Sequence, residues 1–253
     1  MNSTSISKSV MESHAIGGSP FGFSAARIDD TLGATEYTLV GIAVDASGSI
    51  AGFVDDMEKA IQEIVKACSH SDRKDYLMLR LFTFDNNEIN EVHGYRPLQD
   101  CNLADYKGFL KARGMTNLYD ATHNMVSSIS KYGKDLQDQD YDANGILFVI
   151  TDGCENSSTH GVHEVKEAFA KVTKEESLES LVSILVGVGT QSSSNSQELQ
   201  NFKNSVGFTQ FIETSGASEK ELAKLAQFVS KSISRQSSSL GTGGPSAQLS
   251  LTI

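Results

Sequence analysis

Three oxygen-bearing side chains alternate along the short segment VDASGSI, which directly follows a run of apolar residues. Asp45, Ser47 and Ser49 supply one carboxylate and two hydroxyls. Every second side chain of an extended chain points to the same side, so the three oxygens can face one point. Gly48 allows the backbone to turn tightly after the strand. Donors that are all oxygen select a hard cation such as Mg²⁺, Mn²⁺ or Ca²⁺ over zinc or copper.

Two further polar positions extend this set from distant parts of the chain. Thr116 lies in the segment RGMTNLYDA before a helical stretch, and Asp152 directly follows the apolar run GILFVI. The five donors include only two carboxylates beside three neutral hydroxyls, so a bound divalent cation would stay electrophilic and could accept an acidic oxygen from another protein. The alternative is that Ser47 and Ser49 cap a helix and Asp152 starts a turn. Capping alone does not explain why three separate loops carry matching residues.

The apolar pattern predicts the elements that position these five residues. Short runs rich in branched residues predict strands at 37–44, 76–84, 145–150, 181–189 and 208–214, with 87–95 as an antiparallel neighbour. One-sided apolar spacing predicts helices at 53–68, 104–111, 118–131, 161–172, 197–204 and 222–233. This alternation predicts a doubly wound α/β fold with a mostly parallel six-stranded sheet, one antiparallel edge strand and helices on both faces. Such sheets bind ligands beyond the carboxyl ends of their strands, where the oxygen donors lie.

Both ends of the chain differ from this regular middle. Residues 1–36 are rich in Ser, Gly and Thr without a clear period, and predict an N-terminal arm before a domain at 37–234. Residues 235–253 predict a flexible C-terminal tail. Its last apolar residues alternate with polar ones, so the end could add a strand to a neighbouring sheet; they are Leu249, Leu251 and Ile253.

The joint pattern resembles the von Willebrand factor A (VWA) family. Its metal-ion-dependent adhesion site (MIDAS) combines D-x-S-x-S, a distant Thr and an Asp-Gly turn, found here as DASGS at 45–49, Thr116 and DG at 152–153. The resemblance covers residues 37–234 with an intact MIDAS, and TNLYDA is similar to the Thr loop of intracellular, bacterial or phage-type single-domain members. It implies a Rossmann-like fold in which Ser47, Ser49 and Thr116 contact the metal directly, while Asp45 and Asp152 act directly or through water. The acid-poor segment before Asp45 and the long loop TQSSSNSQ depart from the pattern.

The function implied by this resemblance is a noncatalytic adaptor or scaffold that binds an acidic residue of a partner protein through the MIDAS cation. Three hydroxyls and two carboxylates suit the octahedral shell of Mg²⁺, with Mn²⁺ or Ca²⁺ as alternatives. Intracellular members often work in large assemblies, sometimes beside AAA+ ATPases of the MoxR type.

Two other functions compete with this one. In the first, Asp45 is the nucleophile of a Mg²⁺-dependent phosphotransferase or phosphatase of the haloacid-dehalogenase type. However, Ser47 occupies the position at which that class carries a second Asp. In the second, the protein has a structural role, and its tail causes it to assemble.

Composition narrows the cellular setting. A net charge of -11 disfavours nucleic-acid binding, and no apolar run approaches the roughly 18 residues of a membrane span. The N-terminus lacks the apolar core of a secretory signal. Three widely spaced cysteines predict free thiols rather than disulfides; they are Cys68, Cys101 and Cys154. We therefore expect a cytoplasmic protein.

Three polar residues outside the five-donor set allow more than one interpretation. His160 and His163 have a spacing that could bind a metal, but at a helix start they are expected to face solvent. Asp120 either supports the Thr116 loop by hydrogen bonds or compensates the dipole of its helix.

Overall fold

One mixed sheet organises the protein. The computed structural model describes residues 9–29, 32, 34–86, 88–191 and 193–239. Within these residues, eight strands lie in the order β1-β2-β5-β4-β3-β6-β7-β8. The strands are β1 Met11–His14, β2 Phe23–Ala26, β3 Glu36–Asp45, β4 Leu77–Asp85, β5 Glu88–Pro97, β6 Asp142–Thr151, β7 Leu181–Gly187 and β8 Gln210–Glu213.

Five α-helices cover the two faces of this sheet. They are α1 Val54–Ser69, α2 Leu118–Gln137, α3 Val162–Glu175, α4 Ser194–Val206 and α5 Glu219–Ser239. Alternate residues of β3 point to opposite faces: Val40, Ile42 and Val44 join the core under α1 and α5, whereas Leu39 and Ala43 join the core under α2, α3 and α4. The predicted α/β architecture, mostly parallel and covered on both faces, is confirmed. None of the described helices combines the length and apolar character needed to cross a bilayer.

The strand order places the candidate residues at a topological switch point. β3 pairs in parallel with β4 on one side and with β6 on the other, so the chain leaves β3 in one direction and returns to its opposite flank. Open α/β sheets form a crevice at the carboxyl ends of such strands. Asp45 ends β3 and Asp152 follows β6, so both carboxylates lie at this crevice.

The sheet has eight strands instead of the expected six, because part of the expected N-terminal arm forms a hairpin. β1 pairs antiparallel with β2, and β2 lies beside β5 with Ala25 opposite Tyr95. β5 is consequently an inner strand, although we expected the antiparallel strand at the edge. A Cβ at Gly94 would lie 1.9 Å from the Ser24 carbonyl oxygen, so only glycine permits this approach. A strand of four residues is too short to show the alternating apolar pattern by which strands are predicted from sequence.

The helix expected at 104–111 does not form. A single 3-10 turn at Leu103–Tyr106 is followed by irregular chain up to α2. Gly108 adopts a left-handed conformation with φ of 72°, which interrupts a helix. The backbone N–H groups of Gly108 and Leu110 donate to the Glu58 carboxylate at 2.7 and 2.9 Å. These bonds fix the segment 106–117 along α1.

The last helix runs beyond the boundary predicted for the domain. α5 continues to Ser239, so residues 235–239 of the expected flexible tail are helical. The Gln236 side chain donates to the Gly145 carbonyl oxygen, and the Asn144 side chain donates to the Gln236 carbonyl oxygen. The alternating residues Leu249, Leu251 and Ile253 lie outside the described part of the chain.

Candidate metal site

Asp45 is the most buried carboxylate of the candidate site. One carboxylate oxygen accepts the Ser47 backbone N–H at 2.8 Å, and the other accepts the Thr151 hydroxyl at 2.5 Å. Burial raises the pKa of Asp45 to about 6, the hydrogen bonds from Thr151 and Ser47 oppose this shift, and the nearby charge of Asp152 adds to it. The Asp45 carboxylate is therefore held in one position, although burial disfavours its ionised form.

A chain of three oxygens leads from β3 to the end of β6. The Ser47 and Ser49 hydroxyls lie 3.0 Å apart, and the Ser49 hydroxyl donates to an Asp152 carboxylate oxygen at 2.8 Å. Burial raises the pKa of Asp152, and the bond from Ser49 partly opposes this shift. Ser47 precedes the 3-10 turn Gly48–Gly52, but its side chain makes no capping hydrogen bond. The simple capping interpretation of this serine is therefore wrong.

Thr116 is buried beside the same carboxylate loop. Its backbone N–H donates to the Asn156 side-chain oxygen at 2.8 Å, and its carbonyl oxygen accepts the Asn156 backbone N–H at 3.0 Å. A Cβ at Gly153 would lie 3.8 Å from the Thr116 hydroxyl oxygen. The hydroxyl is thus adjacent to the residue after Asp152. Within the described residues it donates no hydrogen bond, which leaves it available as a ligand.

The segment before Thr116 closes the third side of the site. The Arg113 backbone N–H donates to the Ala46 carbonyl oxygen at 2.8 Å, and the Gly48 N–H donates to the Gly114 carbonyl oxygen at 3.2 Å. Gly114 needs its positive φ of 67°, and a Cβ there would lie 2.6 Å from the Asn86 side chain. These contacts hold the 106–117 segment against the DASGS turn. All three predicted loops meet at one edge of the sheet.

The type of these donors fits a small hard cation, since all of them are oxygens. The side-chain oxygens of Ser47, Ser49 and Asp152 lie 3.0 and 2.8 Å apart because they are hydrogen-bonded to one another, so they already lie side by side at the sheet edge. The described residues contain no group of three or more His, Cys, Asp or Glu side chains that could hold a metal. A cation at this site would therefore depend on the hydroxyls.

Residues 152–161, here called the Asp152 loop, are fastened to the start of α2. Glu155 accepts the Tyr119 backbone N–H at 2.9 Å. Asp120 accepts the backbone N–H groups of Thr159 at 3.0 Å and His160 at 2.9 Å. Asp120 thus supports the Asp152 loop, and not the Thr116 loop that one of its two interpretations named. The sequence did not predict a role for Glu155, or for Thr151 and Asn156 described above, because none of them lies at a spacing that indicates a site.

The remaining histidines and cysteines do not contribute ligands to this site. His163 is exposed as expected, with 76% of its side chain accessible, but only 10% of the His160 side chain is accessible. Cys154 is half-buried and its thiol contacts the Asn195 carbonyl oxygen. Burial raises the pKa of Cys154 to about 12, so the thiol stays protonated. The cysteines at 68, 101 and 154 are all free.

Similarity to known proteins is found at the level of structure. No protein-family model and no curated protein matches the chain. A D319A mutant of the PilB minor pilin from Streptococcus sanguinis superimposes with a TM-score of 0.59 at 14% identity, covering 88% of this chain and 66% of the pilin. Proximal thread matrix protein 1 from the mussel byssus gives 0.52 at 20% identity, covering 79% of this chain and 46% of that protein. The fold is VWA-like.

A third solved structure extends the comparison. The pilus adhesin SpaC from Lactobacillus rhamnosus GG gives a TM-score of 0.55 at 10% identity, covering 84% of this chain and 32% of the adhesin. The chain therefore spans less than two thirds of the length of each of these proteins. At such identities the similarity concerns the fold alone.

Proposed function

We propose that the protein is a noncatalytic interaction module with a MIDAS, in which a divalent cation links the chain to an acidic side chain of a partner protein. The cation would be held by Asp45, Ser47, Ser49, Thr116 and Asp152. The observation that carries this proposal is that the hydroxyl and carboxylate oxygens of Ser47, Ser49 and Asp152, which come from two separate loops, lie next to one another at the sheet edge. Ser49 is exposed, so the outer side of a bound cation would face a partner.

Charge explains why such a cation would recruit an acid. Two carboxylates balance a divalent ion only when both are ionised, and burial already raises the pKa of both Asp45 and Asp152. Hydroxyl ligands add no negative charge. An additional carboxylate from outside would therefore complete the shell and strengthen the site electrostatically. We favour Mg²⁺ because three hydroxyls and two carboxylates suit its compact octahedral shell, with Mn²⁺ as its closest substitute.

The surface beside the site supports an acidic partner. Met115, directly before Thr116, is 48% exposed. On the same segment, Lys107 and Lys111 are exposed and form no ion pair within the described residues. Two like charges on one segment give it a locally basic character on a chain of net charge -11. They would attract acidic residues that flank the metal-binding carboxylate, while Met115 offers an apolar contact.

These lysines give a prediction that separates partner binding from metal binding. The double variant Lys107→Glu/Lys111→Glu should weaken binding of an acidic partner by about tenfold at low salt, since two exposed charges are each worth up to about 1 kcal/mol. Mg²⁺ affinity should stay within twofold. Binding is measured at several salt concentrations, with Lys174→Glu on the distant helix α3 as control. Equal losses in both variants would contradict a role for this surface.

Partner capture tests the proposed function itself. Tagged protein is incubated with cell lysate in Mg²⁺ or in EDTA, beside the Asp45→Asn variant. We expect at least one protein to be retained by the wild type in Mg²⁺ and lost under both other conditions. We further expect this retained protein to belong to a larger cytoplasmic assembly, such as one that contains an AAA+ ATPase. We expect no binding to nucleic acid or to membranes. Retention that is unaffected by EDTA would contradict the proposal.

The pKa of Asp45 predicts an unusual pH dependence of stability. Because its folded-state pKa of about 6 exceeds the ordinary value, the folded state binds this proton more tightly than the unfolded state. In EDTA, this group therefore lowers the free energy of unfolding as pH rises from about 4 to about 6, by on the order of 3 kcal/mol. Mg²⁺ should restore stability above pH 6. Urea unfolding of wild type and Asp45→Asn checks this, and identical pH profiles would contradict it.

We also propose that Asp45 is not a catalytic nucleophile. Ser47 stands where a haloacid-dehalogenase enzyme needs an acid/base, and its hydroxyl contacts that of Ser49. We expect no Mg²⁺-dependent hydrolysis of a generic aryl phosphate beyond that of Asp45→Asn. Turnover by the wild type that the substitution abolishes would favour the enzyme instead.

A further inference from the structure

His160 lies between two hydrogen-bond acceptors. Its Nδ1 is 2.5 Å from an Asp120 carboxylate oxygen, and its Nε2 is 3.0 Å from the Gly18 carbonyl oxygen. A backbone carbonyl only accepts, and an ionised carboxylate only accepts as well. The backbone N–H groups of Thr159 and His160 both donate to Asp120, which stabilises its ionised form. Both ring nitrogens of His160 must then carry protons.

We propose that His160 is held as an imidazolium and acts as a positioning residue, fastening the Asp152 loop to α2 and to the hairpin turn of residues 15–22. The effect on the metal rests on the proposed function, whereas the link to the hairpin turn rests on the fold alone. Asp120 is fully buried, so the pair is shielded from solvent. His160 stands at the end of the loop that begins with Asp152, opposite the Asn156 contact to Thr116.

The groups around the His160 ring are consistent with one doubly protonated histidine beside a neutral one. The ring of His123 stacks on His160 at 4.2 Å, and its buried Nδ1 has no partner among the described residues. Burial and then the charge of His160 lower the pKa of His123, so that ring stays neutral. Two acids and two bases line the same cavity of about 340 Å³; they are Glu164, Glu167, Lys131 and Lys171. The two lysines also pair with Asp135 and Glu175, so the surroundings of the ring are not positively charged.

Removal of the proton would break a specific contact. A neutral His160 can keep its Nδ1–H bond to Asp120, but its Nε2 lone pair then faces the Gly18 carbonyl oxygen. Two acceptors at 3.0 Å repel each other, so the hairpin turn loses its attachment to the Asp152 loop. The Asp120 contacts alone then hold that end of the loop.

The protonation state is tested on the unmodified protein. Two-bond ¹H–¹⁵N correlation spectra distinguish a protonated ring nitrogen from one with a lone pair. At pH 7 we expect both nitrogens of His160 to be protonated, while exposed His163 has one lone pair. A lone pair on either nitrogen of His160 at pH 7 would overturn the proposal without any substitution.

The positioning role is tested by His160→Gln, with His163→Gln as its matched control. Hydrogen exchange of the backbone amides of the hairpin turn should accelerate at least tenfold in His160→Gln and stay unchanged in the control. Mg²⁺ affinity should fall at least threefold in His160→Gln alone. Unchanged exchange and unchanged affinity would refute the role. Faster exchange in a protein whose wild type binds no Mg²⁺ would support the link to the hairpin turn and refute the metal proposal instead.

Discussion

Replacing Asp45 by asparagine should weaken Mg²⁺ binding at least 100-fold. The Asp45 carboxylate is fixed by two hydrogen bonds, from the Ser47 N–H and the Thr151 hydroxyl, and it supplies one of only two negative charges. Removing a unit charge about 4 Å from a divalent ion costs several kcal/mol even at an effective dielectric constant near 20. Asparagine has the same shape and keeps an oxygen acceptor, so the fold should survive. Calorimetric titration with Mg²⁺ measures the loss.

A second variant that loses the same charge distinguishes the loss of a metal ligand from a general loss of negative charge. Asp55 lies in the first turn of α1, after the 3-10 turn that carries Ser49, and is exposed, so Asp55→Asn removes the same charge without removing a proposed ligand. We expect its Mg²⁺ affinity to remain within threefold of the wild type. Similar affinities for Asp45→Asn and wild type would show that the carboxylate does not support a cation.

Replacing Arg80 by methionine should lower the free energy of unfolding by about 3–5 kcal/mol, the usual cost of removing one partner from a buried charge network. Arg80 is fully buried on β4, where its guanidinium donates to Glu91 at 2.8 Å, Ser128 at 2.8 Å and Asn124 at 2.9 Å. Glu91 also accepts the backbone N–H of Ser24, which belongs to β2. Loss of the guanidinium would leave the Asn124 side-chain oxygen without its donor and Glu91 with its bonds from Ser24 alone, and would loosen the N-terminal hairpin.

Urea unfolding of Arg80→Met and Arg27→Met tests this network. Arg27 pairs with Asp29 at 3.0 Å, but half of its side chain is exposed, so its replacement should cost less than about 1 kcal/mol. The hairpin amides of Arg80→Met should also exchange faster than the rest of the sheet. A stability within 1 kcal/mol of the wild type would show that the buried charge is readily replaced.

The central part of the fold was predictable because its strands are apolar throughout. β3, β4, β6 and β7 are buried on both faces, and such strands read as continuous apolar runs between amphipathic helices. Since parallel strands end at the same edge, the oxygen-bearing residues after β3 and β6 had to converge. Thr116 reaches the same point because α2 starts there. The five candidate ligands could therefore be predicted from the positions of the strand ends and from the residue types found there.

The parts that sequence did not reveal depend on contacts between distant segments. The hairpin of β1 and β2 is held by Glu91 and by close approach to Gly94, neither of which leaves a periodic pattern. Residues 104–111 have helix-like apolar spacing, but a left-handed Gly108 and the Glu58 carboxylate hold the chain there in an irregular path. Asn156 gives no signal either, because an exposed asparagine in a loop is ordinary until its backbone partner is known.

Anomalous diffraction from crystals grown with Mn²⁺ tests the metal site most directly. We expect one strong peak within bonding distance of the Ser47 and Ser49 hydroxyl oxygens, next to Thr116 and Asp152, and no such peak in Asp45→Asn crystals. A Mn²⁺ peak elsewhere, or a well-ordered Ser47, Ser49 and Asp152 still joined by their own hydrogen bonds at millimolar Mn²⁺, would contradict a cation at this site.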